Sequence, residues 1–272
     1  MIDNIVNHGV IYFFFAILLV FTDKPQVMKY LILLLSLFSF FSVSKTCQQN
    51  SAQLVAHYQT SQHLSQPASN ELKEIKQQFS LYRNGNAVIH QYPEQGIAHL
   101  WFQMKNQQVS LTRYFLSAQR GIEYQPQEIS DVETWQQKQQ LLAANFLDKF
   151  TLSSQAGEGC HLLQNFVYQQ GENYFELTWY PALQLIKDFK ATSPHSVEQW
   201  ALTELNLEAK VVKEKFTELN QFDTTDYSDI GDNEADPFLA KMIQQGFKTE
   251  VIVTEKPAIF IEEKTHDHEY SH

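Results

Sequence analysis

Period-two alternation of apolar and polar residues, broken at short intervals by turn residues, restricts the fold of this chain more than any other feature. From Phe79 the pattern runs Phe79-Ser80-Leu81-Tyr82, meets Asn84-Gly85, and resumes over 87–92. Successive side chains on a strand face opposite sides, so this pattern around a hairpin dipeptide predicts two antiparallel strands. Further turns at 93–96, Lys105-Asn106-Gln107 and Gln119-Arg120-Gly121 separate the runs 97–104, 109–116 and Ile122-Glu123-Tyr124. A meander of four or five strands follows. Gly157-Glu158-Gly159 breaks the chain, and a second meander is predicted from 162–169, 174–180, 183–190 and 197–207.

Between the meanders, Ser130-Asp131-Val132-Glu133 has the form of a capping box. Trp135, Leu142, Phe146 and Phe150 then fall on one stripe, which predicts a long helix from Ser130 to about Phe150 packed on the sheet. Ahead of the first meander, 50–66 is Gln-rich with Leu54, Val55 and Tyr58 at helical spacing, and reads as a short helix or a tether. Ser69 would cap a second short helix through Gln78. The expected fold is α+β: an antiparallel, curved meander sheet packed on one long helix, with a small acidic helical C-terminal segment. That order of elements is similar to the periplasmic lipoprotein-carrier and lipid-binding folds, which are open half-barrels. The resemblance is architectural and assigns no residue a role.

Two apolar runs precede the body, 10–21 and 30–43. Each is well short of the ~20 residues of a spanning helix. Read from Met28, the chain has the form of a signal peptide: Lys29, an apolar stretch, and Ser42 and Ser44 placed like cleavage-site residues. Met28 is therefore expected to be the initiator; a helical hairpin or anchor built from both runs is the alternative. Three regions result: 1–46 as targeting segment, 47–207 as body, and 208–272 as C-terminal segment.

Cys47 and Cys160 are the two cysteines. In an oxidising compartment they are most simply read as a disulfide, which in the loop-entropy model stabilises by up to about 4–5 kcal/mol. Cys47 also stands where an acylated lipoprotein cysteine would stand, although Lys45-Thr46 before it lack the small residues of such a signal. The two fates exclude each other.

Charge narrows the partners. The chain carries 31 Asp and Glu against 20 Lys and Arg, for a net charge of −11. From Glu204 onward 16 acids face 7 lysines. Nucleic-acid binding requires clustered basic charge and is not expected. The carboxylates from Asp223 to Asp236 do not match a calcium loop, because only Gly231 falls where that loop requires it. Asp236-Pro237 is a strong helix start, and Phe238, Leu239, Met242 and Ile243 form one apolar face. That face is expected to dock on its own domain or on a partner. Val251-Ile252-Val253 and 258–261 are strand-like runs that would add to the sheet edge. His266, His268 and His272 in the tail are weak candidates for Zn²⁺ or Cu²⁺.

No phosphate loop, G-x-S-x-G, H-E-x-x-H or C-x-x-C motif occurs. Glu123, Glu176, His90, His99 and Ser110 are one set of polar residues, among many in a chain of this size, that could converge into a hydrolytic site. No cofactor is implied. The leading expectation is an exported, non-enzymatic envelope module. It would bind a lipid, a lipoprotein or an envelope protein through the concave sheet face. Tyr82, Trp101, Phe102, Tyr114, Phe115, Tyr174, Phe175, Trp179 and Tyr180 are expected to give both sheet faces apolar surface, one covered by the helix and the other by the C-terminal segment, a ligand or a partner. The alternatives are a periplasmic hydrolase and a metal-binding protein that uses the His tail or the acidic loop.

Overall fold

The computed structural model describes residues 50–65, 72–129, 134–142, 145–232 and 235–244. The targeting segment, Cys47, residues 251–261 and the three tail histidines lie outside them.

Both meanders form, and they belong to one sheet. The first comprises β1 (Gln53–Ser65), β2 (Leu72–Asn84), β3 (Ala87–Tyr92), β4 (Ile97–Gln103), β5 (Val109–Phe115) and β6 (Arg120–Tyr124). The second comprises β7 (Thr151–Ala156), β8 (Leu163–Gln170), β9 (Asn173–Tyr180), β10 (Leu185–Thr192) and β11 (Ser196–Asn206). β12 (Asp223–Asp226) adds to β6 in parallel. The sheet order is β12-β6-β5-β4-β3-β2-β1-β11-β10-β9-β8-β7, antiparallel elsewhere. The meanders meet where β1 pairs with β11. Among the described residues three α-helices accompany the sheet: α1 (Trp135–Gln140), α2 (Ala209–Leu219) and α3 (Pro237–Gln244).

Turn chemistry fixes the register. The β2–β3 loop is Gly85-Asn86, one residue later than the Asn84-Gly85 expectation. Gly85 has φ 65, the left-handed backbone that the first central position of a type II′ turn requires. Gly121 in β6 has a different role. A Cβ there would stand 2.9 Å from the Tyr114 ring and 3.0 Å from Thr224 Cγ2, so only glycine lets β12 close on β6.

Two helical expectations fail at the start of the body. The described residues of 50–66 and 69–78 form not helices but β1 and the first part of β2, a long hairpin with regular pairing from Gln53↔Asn84 to Ser65↔Leu72. Glutamine has little local preference for strands, and the cross-strand pairing overrides it.

The single long helix is also replaced. Ser130–Glu133 lie outside the described residues, and the observed N-cap is Thr134, whose Oγ1 accepts from Gln137 N at 3.3 Å. α1 stops at Gln140, and Leu141 turns left-handed at φ 62. Side chains from the sheet take carbonyls at its C-terminal end. Arg83 Nε donates to Gln139 O at 2.8 Å, and His90 Nε2 lies 2.7 Å from Lys138 O. A helix end needs such partners, and here they cap it. Leu142 and Phe146 remain buried and Phe150 half-buried, so the stripe packs on the sheet as expected but only partly as helix.

Two apolar layers result. On the inner face, which carries α1, Leu54, Tyr58, Phe79, Leu81, Val88, Trp179, Ile186 and Trp200 surround Leu141, Leu142 and Phe146. The same face continues through Trp101, Leu111, Ile122 and Tyr124, which pack against Ile230, Leu239 and Met242. On the outer face Ile89, Ala98 and Tyr114 pack against Leu219 of α2.

Arg83 ties these parts together. It is fully buried on the inner face of β2, and its guanidinium donates to four carbonyls. These are Gln139 O, Ser51 O (3.1 Å), Leu183 O (2.7 Å) and Gln184 O (2.7 Å). Burial lowers its pKa to about 10, which leaves it charged near neutral pH. Removal of the fork would leave buried carbonyls without donors. Arg83→Met is expected to destabilise by about 3 kcal/mol or more. Arg83→Lys should recover only part, because one ammonium cannot reach all four acceptors. The check is the urea midpoint at unchanged slope; an Arg83→Met midpoint equal to wild type would refute the role given to this residue.

Candidate functional site

The inner face carries a row of polar side chains across three neighbouring strands. His90 of β3 stands opposite His99 of β4, and His99 opposite Arg113 of β5. Residues opposite one another share a face. Both histidines are 1% exposed. The partner of His90 Nε2 is a carbonyl, which can only accept, so this nitrogen carries the proton. Its Nδ1 is buried with no hydrogen-bond partner among the described residues. Burial, and secondarily the Lys138 ammonium, lower the His90 pKa to about 3. Burial followed by Arg113 holds His99 well below its ordinary value. Neutral imidazoles of such low basicity are weak proton acceptors near pH 7.

Lys138 joins this row from above. The helix α1 holds it 2% exposed, with Nζ 3.7 Å from the centroid of the Trp101 ring. This is a desolvated cation–π contact. Trp101 in turn packs edge-on to His99 at 6.1 Å. Its indole Nε1 is buried without an acceptor among the described residues.

Beside this pair a hollow of about 540 Å³ opens between the β4–β5 hairpin and α1. Trp101, Val109, Ile129, Trp135 and Lys138 supply its apolar and cationic lining, and Gln103, Gln107 and Gln108 stand among its polar lining. Its size falls within the range of ordinary ligand sites.

The other sequence candidates are placed as follows. Glu123 stands opposite Thr112, and Ser110 opposite Phe102, one residue out of phase with the His90–His99–Arg113 row, so both face the other side of the sheet. Glu176 is in β9 of the other meander. The structure does not bring these groups to the histidines. Leu239 and Met242 are buried in the core beside Trp101 and Tyr124, with Phe238 and Ile243 half-buried against them. Asp236 caps α3 through Oδ1, 2.8 Å from Phe238 N, and its Oδ2 pairs with Arg120 at 2.8 Å. That ion pair holds the Asp236 carboxyl below its usual pKa. Among the described residues no cluster of three or more metal-ligating side chains occurs, including in the acidic stretch. Cys160 sits in the turn Gly159–His161 rather than on a strand.

Of the aromatic residues expected on the sheet faces, Trp101, Tyr114, Phe175 and Trp179 are buried in the core, and Tyr82, Phe115 and Tyr180 are half-buried. Phe102 and Tyr174 remain exposed. The chain thus covers much of the inner face itself. Lys138 gave no signal in the sequence, because it stands among Gln136, Gln137, Gln139 and Gln140 like a surface residue.

No family model matches this chain, and no curated protein is similar to it in sequence. Among solved structures, PNGF-II has a TM-score of 0.31 at 12% identity over 64% of this chain. The chain spans about a third (32%) of the length of that protein. A DUF1329 family protein from Desulfovibrio piger has a TM-score of 0.29 at 7% identity, over 58% of this chain and 87% of its own. An outer membrane lipoprotein-sorting protein domain from Vibrio parahaemolyticus has a TM-score of 0.28 at 6% identity, over 62% and 92%. Likenesses this distant assign no function.

The buried histidines make stability depend on pH. Each takes up a proton near pH 6.5 when unfolded, and His90 only near pH 3 when folded. The unfolded state therefore binds more protons in that window. Stability is complete above the unfolded pKa and falls as pH drops below about 6.5. The double variant His90→Gln, His99→Gln is expected to flatten the decline in urea midpoint between about pH 7 and about pH 4. An unchanged slope would show that carboxylates elsewhere cause the decline.

Proposed function

We propose that this chain is an exported, non-enzymatic binding module that holds the apolar part of an amphiphile, a lipid or an acylated protein. The hollow beside Trp101 carries this reading. Its lining includes two indoles, half-buried Trp135 and the buried Trp101, with Val109, Ile129 and the side-chain amides of Gln103, Gln107 and Gln108. Such a lining takes an aliphatic chain against rings and leaves a polar head to Gln103, Gln107 and Gln108. It lies on the inner face of the sheet as a local hollow, because Leu142, Phe146, Leu239 and Met242 occupy the rest of that face. Export and envelope localisation are supported by the apolar runs before Cys47 and the signal-peptide form from Met28. The hydrolase alternative gains no support from two sealed, weakly basic histidines.

Tryptophan emission reports on ligand directly. A lysophospholipid or fatty acid below its micelle concentration is expected to shift the emission saturably. Trp135→Ala should weaken that binding about tenfold, the loss of a half-buried ring contact, and should also lower the thermal midpoint, because the ring packs against both apolar clusters. No saturable change with either lipid class would sink the reading. The N-terminal region has its own test, the mass of mature protein isolated without reduction. An acylated Cys47 would make the module membrane-tethered. A Cys47–Cys160 bond would make it a disulfide-stapled domain instead.

A further inference from the structure

Hydrogen-bond roles around the indole hollow are lopsided. On its hairpin side Asn106 Oδ1 accepts from Gln108 N at 3.2 Å, which orients that amide. Asn106 Nδ2 then donates to Gln108 Oε1 at 2.6 Å. Gln103 Nε2 donates to Gln107 Oε1 at 3.0 Å. These bonds use three of the four amide oxygens and leave Gln103 Oε1. They also leave the amide nitrogens of Gln107 and Gln108 without a partner among the described residues. Trp101 adds an indole N–H that is buried with no acceptor there. Lys138 adds an ammonium, 2% exposed and seated beside that ring. Among the described residues that line the hollow, Lys138 is the charged one. Glu128 falls in the chain between the lining residues Pro126 and Ile129, but it is not in the lining, and its Oε2 accepts from Gln125 N at 2.7 Å. The unused polar groups of the hollow are thus mostly N–H donors, and its charge is positive.

We propose that the head group received by this hollow is an anion, a carboxylate or a phosphate, with Lys138 as its charge partner. The inference rests on the amphiphile-binding reading and adds to it the sign of the head. An ionised oxyanion only accepts hydrogen bonds, so it complements a lining whose spare groups donate. A hydroxyl head would meet the same donors but gain little from the ammonium. A quaternary ammonium head would be repelled by it. The net charge of −11 opposes any anion at long range, so the selection is a local one made by the lining. Trp135, Val109 and Ile129 remain for the aliphatic chain.

Probes of equal chain length test it: dodecanoate, dodecyl phosphate, dodecanol and dodecyltrimethylammonium, each below its micelle concentration and titrated into the mature protein by tryptophan emission. At least one of the two anions is expected to bind about tenfold tighter than dodecanol, the ratio that a charge-assisted hydrogen bond supplies. The tighter of the two tells a carboxylate head from a phosphate head. The cationic probe should bind more weakly than dodecanol. Lys138→Met keeps an unbranched side chain against the Trp101 ring, and Lys138→Gln keeps a donor without the charge. Both should bring the anions to the affinity of dodecanol while leaving dodecanol itself within about twofold, with the urea midpoint showing that the variants fold. Wild-type protein that binds dodecanol as tightly as either anion overturns the proposal and leaves the amphiphile reading standing. So does a preference for anions that survives in a folded Lys138 variant. No saturable shift with any of the probes removes the amphiphile reading itself, and this inference with it.

Discussion

The arrangement depends on a buried guanidinium held by carbonyls. Among the described residues Arg83 pairs with no carboxylate; it satisfies the start of β1, the end of α1 and the turn between β9 and β10 at once. A cation surrounded by carbonyl dipoles avoids the desolvation of a second charge, although its own remains. Its geometry also sets backbone. Gln184 is a non-glycine residue at φ 50, a conformation that costs about 1–2 kcal/mol and persists where surroundings impose it. Arg83 binds the Gln184 carbonyl, and Gln140 Nε2 binds its side chain at 3.1 Å. One residue thus fixes where α1 crosses the sheet, and with it where the indole hollow opens.

Most strand positions were legible from alternation and turn residues, because hairpins are local and their signals are local. Failures came where the deciding contact is remote. β1 and β2 look polar and Gln-rich, and their strand character arises from pairing with each other and, for β1, with β11. The helix expected through Phe150 has the right apolar stripe. What ends it is Arg83 and His90, about 50 residues earlier in the chain, which no helical periodicity reveals.

The site was less legible than the fold. Trp101 was visible as an aromatic on a strand, and Trp135 as part of a helical stripe. Their meeting depends on the crossing position of α1. Lys138 is buried against expectation for its residue type and its glutamine neighbours. Arg83 offered a faint clue: it continues the inner-face alternation of Phe79 and Leu81, where an arginine must find partners if it is to be buried. The buried histidines were visible only as residues; their shared face follows from the β3–β4 register.

The seam between the meanders has a kinetic meaning. β1 lies near the front of the body, yet one of its neighbours is β11, and Thr203 Oγ1 reaches the carbonyl of His57 across 146 residues. Loop-closure entropy must be met before such a pairing stabilises anything, so completion of this sheet is inherently slow. A chain emerging from its N-terminus can build the first meander hairpin by hairpin, but β1 keeps one edge open until the eleventh strand arrives. For a protein carried across a membrane unfolded, a sheet that cannot close until nearly all of it has emerged would delay commitment to the native state. The same delay leaves a long, Gln-rich strand edge open to wrong partners in the interval.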